Sequence, residues 1–164
     1  MQVLDDLFPS KHSIANELYI KTADENYIVA RGCSFYSLET DFFWLAAHCL
    51  EKYTKAALLL NEQSGKEYVK NGKKTPYRHD IDKLYENIWP LAPELLQERL
   101  MCPRELHGDA YWVEETTADF IHRLRKYGQP DNRYQFVGYV KKGQDLLKLD
   151  QVVFAIRRAR PHHR

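Results

Sequence analysis

The sequence predicts an all-α fold, an antiparallel (up-and-down) bundle of four or five helices. Only 7 Gly and 7 Pro occur among 164 residues, which leaves few of the tight turns that an all-β fold needs. Apolar residues recur every three or four positions over long stretches, and most links between these stretches are short. With 44% apolar and 29% charged residues, the composition excludes a disordered or fibrous chain. We therefore expect one helical domain over residues 1–164.

The first two helices are predicted by their apolar spacing. Helix one should begin after Ser13, a residue type that caps helices, and end near Arg31. Residues 32–38 are expected to form a short connection. Helix two should span residues 41–61, because a wide apolar stripe runs through Phe43, Ala46, Ala47, Leu50, Tyr53, Thr54, Ala57 and Leu60.

The middle of the chain alternates between loops and helices. Residues 62–77 contain two Gly, one Pro and many lysines, which predicts an exposed loop. A third helix should run from Arg78 to about Ile88 and end at Pro90, since proline interrupts a helix. Residues 93–100 begin with a proline and are expected to form a short helix.

Two longer helices complete the predicted bundle. Asp109 can cap a helix that continues to Tyr127, with Gly128 as its C-terminal cap. Residues 129–144 should be extended or looped, with a short strand over 135–140. The last helix is expected over residues 145–160, where the inward positions are Leu146, Leu149, Val153 and Ile156.

Positive charge is concentrated in a few segments, although the net charge is only +1. Residues 66–78 hold five basic residues and one acidic residue, and residues 123–142 hold six basic residues and one acidic residue. The last eight residues hold four arginines and no acidic residue. The small net charge excludes a polycation that holds nucleic acid by its bulk field. Each cluster is either a solvated loop or a local site for a phosphate group.

Cysteine and histidine patterns predict no metal and no cofactor. The three cysteines show no C-x-x-C spacing, and none of the seven histidines forms an H-E-x-x-H motif. His48 adjoins the apolar stripe of helix two, so we interpret it as a packing residue. The odd cysteine count, the absence of a signal-like N-terminus and the absence of a long apolar run predict a cytoplasmic protein that does not enter a membrane.

One histidine has a setting that favours phosphate binding. His79 follows Arg78 and the basic residue Lys74 at the predicted start of helix three, where free backbone N–H groups attract anions. Asp80 and Asp82 would oppose an anion, and a helix cap with a surface histidine explains the same residues. The sequence alone leaves both interpretations open.

Three segments of the chain resemble the HEPN domain family (higher eukaryotes and prokaryotes nucleotide-binding). They are AAHCLEKYTKAALLLN at 46–61, RHDIDKLY at 78–85 and Asn132-Arg133-Tyr134. The segments span about 90 residues in the family's order. The resemblance implies an antiparallel bundle of four or five helices that forms a homodimer.

The resemblance also implies a function. Some HEPN members bind nucleotides or act as partners of a minimal nucleotidyltransferase in toxin–antitoxin or antiphage systems. We expect this chain to bind a nucleotide or RNA in the same way, through Lys74, Arg78, His79 and Arg133.

Other HEPN members are metal-independent endoribonucleases that carry an Arg-x(4–6)-His motif. The candidate catalytic residues here are Arg157, Arg158 and His162, but Pro161 separates the arginines from the histidine, so one helix cannot hold them on a common face. Nuclease activity is therefore the second hypothesis. A structural interaction partner without a ligand site is the third.

Overall fold

The chain folds into five helices and a small β-hairpin in the computed structural model, which describes residues 10–61, 68–70, 73–75, 79–106, 112–129, 132 and 141–159. Helix α1 comprises Lys11–Ile14, a π-helical stretch Ala15–Ile20, and Lys21–Phe35. The others are α2 (Glu39–Leu60), α3 (Ile81–Ile88), α4 (Thr117–Tyr127) and α5 (Asp145–Arg158). Strands β1 (Tyr68–Lys70) and β2 (Lys73–Thr75) form the hairpin. The prediction of an all-α bundle is confirmed.

Helix α1 is longer than the sequence suggested. It continues through Gly32 to Phe35, so the predicted connection over residues 32–38 is wrong for its first four positions. The turn to α2 needs only Tyr36–Leu38, where Ser37 adopts a left-handed φ of 56° and the Leu38 N–H donates to the Cys33 carbonyl at 2.9 Å. This short link makes α1 and α2 antiparallel neighbours.

Helix α2 is the central element, because it contacts all four other helices. Its bounds agree with the prediction to within two residues. Its buried positions cover most of its circumference, and the largest side chains among them are Phe42, Phe43, Leu50, Tyr53 and Leu58. A helix that is apolar on nearly all sides has to be enclosed by other elements, which explains the position of α2.

Helix α3 begins three residues later than predicted, at Ile81. Asp80 is its N-cap, and the Asp80 side chain accepts from the Lys83 N–H at 3.4 Å. The helix tightens into a 3₁₀ turn at Trp89–Leu91, which contains Pro90. The residues before it, predicted as loop over 62–77, include the antiparallel strands β1 and β2. That part of the loop prediction is therefore wrong.

The short helix expected over residues 93–100 does not form. This segment is built of turns, and Arg99 makes an isolated antiparallel bridge with Thr116. The Leu100 N–H donates to the Glu115 carbonyl at 3.3 Å, and the Thr117 N–H donates to the Glu98 carbonyl at 2.9 Å. Backbone pairing with a distant segment replaces the local helical bonds.

The same pairing delays the start of α4. The sequence predicted a helix from Asp109, which lies outside the described residues, but residues 112–116 are not helical. Thr116 is the N-cap instead, and its hydroxyl accepts from the Asp119 N–H at 3.0 Å. The predicted C-terminal cap at Gly128 is confirmed, with its N–H bonded to the Leu124 carbonyl.

A buried ionic cluster joins residues 112–116 to α4 and α5. Arg123 donates to both oxygens of Glu115 at 2.9 Å and to both oxygens of Asp145 at 2.9 and 2.7 Å. Lys148, fully buried, donates to the Val113 carbonyl at 2.9 Å and to Glu115 at 2.7 Å. Two cations therefore face two carboxylates, and the cluster needs no external counter-ion.

Helix α5 runs alongside α2 in the same direction. At one end the ammonium of Lys141, just before α5, lies 5.6 Å from the ring centre of Phe42. At the other end the Asn61 side chain donates to the carbonyls of Ala57 and Ala159, at 2.8 and 3.1 Å. The helix ends at Arg158, close to the predicted boundary. The predicted strand over 135–140 lies outside the described residues.

Candidate functional site

A cavity of about 220 Å³ opens between the middle of α2, the residues that precede α3, and the C-terminal end of α4. It joins three elements that are far apart in the sequence. The lining residues are Ala47, His48, Glu51, His79, Ile81, Arg125, Gly128 and Gln129. Four of these side chains ionise, which makes the cavity a candidate binding site.

Glu51 and His79 form a hydrogen-bonded pair at this cavity. The His79 Nδ1 atom lies 3.0 Å and 3.1 Å from the two carboxylate oxygens of Glu51. Lys55, one helical turn further along α2, donates to the same carboxylate at 2.5 Å. The contact has the i, i+4 spacing at which such ion pairs stabilise a helix.

The ionisation of Glu51 decides which nitrogen of His79 carries a proton. Burial alone would raise the pKa of Glu51, but the hydrogen bonds from Lys55 and His79 outweigh it and lower the pKa. The carboxylate is therefore charged at neutral pH and can only accept, so Nδ1 of His79 must carry a hydrogen. The Nε2 atom then remains for a ligand, and the His79 side chain is mostly exposed.

His48 lies at the same cavity, one turn before Glu51. Its ring packs edge-on against Trp44, with 4.7 Å between ring centres, and lies 6.5 Å from the ring of His79. Burial lowers the pKa of His48, although the nearby Glu51 charge works in the opposite direction. The interpretation of His48 as a packing residue is thus incomplete, because its ring also forms part of the cavity wall.

Arg125 contacts both aspartates that follow His79. Its guanidinium lies 2.8 Å from Asp82 and 3.5 Å from Asp80, and the hydrogen bond to Asp82 raises the pKa of Arg125. His122, one turn earlier on α4, contacts Asp82 at 3.0 Å. One permanent positive charge therefore faces the two aspartates that would oppose an anion.

Of the remaining predicted binding residues, one lies in β2 and two lie outside the described residues. Lys74 lies in β2, where it pairs with Val69. Arg78 directly precedes His79 in the sequence but lies outside the described residues, as do Arg133 and His162. Of the predicted binding residues, the structure thus shows the surroundings of His79 in detail.

The candidate catalytic arginines lie at a different place. Arg157, in the last turn of α5, contacts Asp24 at 3.3 Å and lies over the ring of Tyr53. Arg158 lies over the ring of Phe154, 5.4 Å from its centre. Both line a separate cavity of about 610 Å³ beside Tyr27 and α5. Neither arginine lines the His79 cavity.

Sequence reasoning did not assign Glu51 and Arg125 to the site. Glu51 is a charged residue within the apolar stripe of α2, one turn after His48, and that placement was an available signal. Arg125 lies one turn after His122 in the last turn of α4. Its contact with Asp82, 43 positions away, had no sequence signal.

The described residues contain no group of three or more His, Cys, Asp or Glu side chains that could hold a metal ion. Every helix in the described ranges is too short or too polar to cross a lipid bilayer. No known family model matches the chain, and comparisons with curated proteins and with solved structures find no match either. The chemistry of the cavity is therefore the basis for a functional proposal.

Proposed function

We propose that this chain is a HEPN-like homodimer that binds the phosphate groups of a nucleotide or RNA at the cavity between α2, α3 and α4. In this proposal it acts in a toxin–antitoxin or antiphage system, beside a minimal nucleotidyltransferase. One observation supports the proposal most. The two longest segments that resemble the family, 46–61 and 78–85, meet at this cavity through the contact between Glu51 and His79.

The charges around the cavity are nearly balanced, so its exposed polar atoms are left to select the ligand. Three carboxylates, Glu51, Asp80 and Asp82, face two permanent cations, Lys55 and Arg125. The exposed His79 ring adds a nitrogen, Nε2, that its contact with Glu51 leaves for a ligand. A phosphate group is favoured there once the basic residues that precede His79 add their charge.

The basic residues next to His79 in the sequence add to this preference. Arg78 and Lys74 precede it, and the hairpin formed by β1 and β2 also contains Lys70 and Lys73. Each phosphate that such a side chain neutralises releases condensed counterion from the nucleic acid. Binding of RNA should therefore weaken steeply as salt is added.

Equilibrium binding to labelled single-stranded RNA and to a labelled nucleotide tests the proposal. We expect Arg78→Ala or Arg133→Ala to weaken binding and to reduce the slope of log K against log salt by about 1. Arg99→Ala is the matched control, because Arg99 is an exposed arginine that pairs with Glu114. Unchanged binding in both site variants would contradict the proposed site.

A second variant tests the role of His79. His79→Ala should weaken phosphate binding, because it removes a ring that lines the cavity. His12→Ala, which removes another exposed histidine, should leave binding unchanged. Unchanged binding in His79→Ala would show that His79 does not contribute to the site.

Incubation with labelled RNA in EDTA separates binding from cleavage. We expect the RNA to stay intact, because Arg157 is engaged by Asp24 and Tyr53 and lies away from the His79 cavity. Cleavage that disappears in His162→Ala would favour the metal-independent endoribonuclease instead. Absence of both binding and cleavage would favour a structural interaction partner.

A further inference from the structure

The outer face of α1 is apolar, and none of the other residues that the structure describes covers it. Ile28 is 66% exposed, Val29 52%, Phe35 72% and Tyr36 80%. Monomeric proteins seldom expose a contiguous apolar patch of this kind unless something binds it. We call these four residues together with Gly32 the α1 outer face.

This face lies opposite the side of α1 that packs on α2. The buried positions of α1 include Ala23, Ala30 and Ser34, and at 100° per residue Gly32 falls almost directly across the helix from them. A Cβ atom added to Gly32 would meet no other atom within 4 Å. Gly32 therefore lies at the centre of the face, with space above it.

The pattern around Gly32 is symmetric. Ile28 and Val29 lie four and three positions before it, and Phe35 and Tyr36 lie three and four positions after it. On the helix surface Ile28 and Phe35 fall on one side of Gly32, whereas Val29 and Tyr36 fall on the other. Each side thus carries one aliphatic and one aromatic side chain.

We propose that a second copy of this chain covers the α1 outer face, with the two α1 helices antiparallel about a two-fold axis at Gly32. This inference rests on the homodimer proposed above and names its surface. A two-fold axis at Gly32 brings Ile28 against Phe35 of the partner subunit and Val29 against Tyr36 of the partner subunit. The face is then complementary to itself, which is what a symmetric dimer requires.

The area of the patch is close to what a stable dimer buries. At these exposures the four side chains, with Leu38 at 50% beside them, present roughly 600 Å² of apolar surface per chain. A standard interface buries about 800 Å² per partner, of which the apolar centre is the larger part. Lys21 and Glu25, further along the same side of α1, provide a polar rim.

Light scattering after size exclusion tests the surface. At about 20 µM, wild type should have about twice the monomer mass of 19.4 kDa, since micromolar association is ordinary for such an interface. Phe35→Glu should be monomeric, because it places two charges in the apolar contact. Phe154→Glu is the matched control: Phe154 is 62% exposed on α5, so this variant should fold equally well and stay dimeric.

A disulfide at the two-fold axis tests the geometry. Gly32→Cys should form a covalent dimer on mild oxidation, because the axis places the two Cys side chains next to each other. Glu25→Cys should not, since an antiparallel pair separates the two positions by about 21 Å along the helices. Wild type, with its own three cysteines, is the background control.

The outcomes separate this inference from the proposed function. A dimeric Phe35→Glu variant, or cross-linking at position 25 in place of position 32, would overturn the α1 surface but leave the homodimer. A monomeric wild type would overturn both the surface and the homodimer. Phosphate binding is measured independently, and its loss would overturn the proposed ligand without affecting the dimer surface.

Discussion

The buried charges of the residues that the structure describes are paired with opposite charges. Glu115 shows this most clearly, because it accepts from Arg123 and from the fully buried Lys148. Desolvation alone would raise the pKa of Glu115, but these hydrogen bonds outweigh it and lower the pKa below its usual range. Its ionised form is therefore favoured by folding.

Replacing this carboxylate should be costly at neutral pH. Glu115→Gln leaves Lys148 and Arg123 with one counter-charge instead of two, so we expect a loss of about 3 kcal/mol in the free energy of unfolding at pH 7. Urea denaturation measures it. Glu114→Gln is the adjacent control, because Glu114 is exposed and its contact with Arg99 is 3.5 Å long. This variant should change the free energy of unfolding by less than about 0.5 kcal/mol.

The loss of unfolding free energy in Glu115→Gln should become smaller as the pH falls. A carboxyl whose folded pKa is lowered stabilises the protein above its unfolded pKa, and the stabilisation is lost as the pH falls through the folded value. The difference in unfolding free energy between wild type and Glu115→Gln should therefore be fully present above about pH 5, since the usual pKa of the carboxyl is 4.5. It should decrease in stronger acid. A difference that grows towards acid would contradict this account.

At the scale of whole elements, close helix packing depends on one glycine. Gly128 ends α4 with an ordinary φ of −83°, so its backbone does not require glycine. The requirement is space: a Cβ atom there would come within 2.7 Å of the Ala47 Cβ atom and the Phe43 carbonyl oxygen on α2. Gly128 therefore allows the end of α4 to touch α2 beside the candidate cavity.

Gly128→Ala should destabilise the protein by about 1–3 kcal/mol, because the added methyl group overpacks this contact. Thermal or urea unfolding measures the effect. Gly143→Ala adds the same methyl group where nothing lies within 4 Å, and it should change stability by less than about 0.5 kcal/mol. Equal effects of the two substitutions would mean that α4 and α2 do not approach closely at Gly128.

The elements that the sequence predicted well are those with a long apolar stripe. Helix α2 agrees to within two residues because its own spacing determines its buried side. The helix expected over 93–100 does not form, and the helix expected from Asp109 starts only at Thr117, because Leu100 and Thr117 make backbone hydrogen bonds to residues well over a dozen positions away. Local spacing carries no information about such partners.

The candidate site was predictable in part for the same reason. The sequence identified His79 from its basic surroundings, but Glu51 and Arg125 reach it from α2 and α4. Their contacts exist only when the whole bundle is assembled. A single sequence contains the separate segments, and the fold determines which of them meet.

Assembly should be visible in the stability of the whole molecule. If folding is coupled to the dimer through α1, the apparent free energy of unfolding should rise by about 1.4 kcal/mol per dimer for each tenfold increase in protein concentration. Melting curves over a hundredfold concentration range measure this. Phe35→Glu should show no dependence on concentration, and a wild type equally independent of it would exclude coupled dimerisation.

The π-helical stretch Ala15–Ile20 has a consequence for how the length of α1 can change. The Lys21 N–H bonds to the Asn16 carbonyl, five positions back instead of four, so this part of α1 holds one residue more than an α-helix of the same height. Deleting a single residue here would restore α-helical bonding and keep both flanking segments in their present orientation. Elsewhere in the helix the same deletion would rotate one flank by about 100° and turn its buried side towards solvent. A single-residue deletion should therefore be tolerated at this stretch and rejected along the rest of α1.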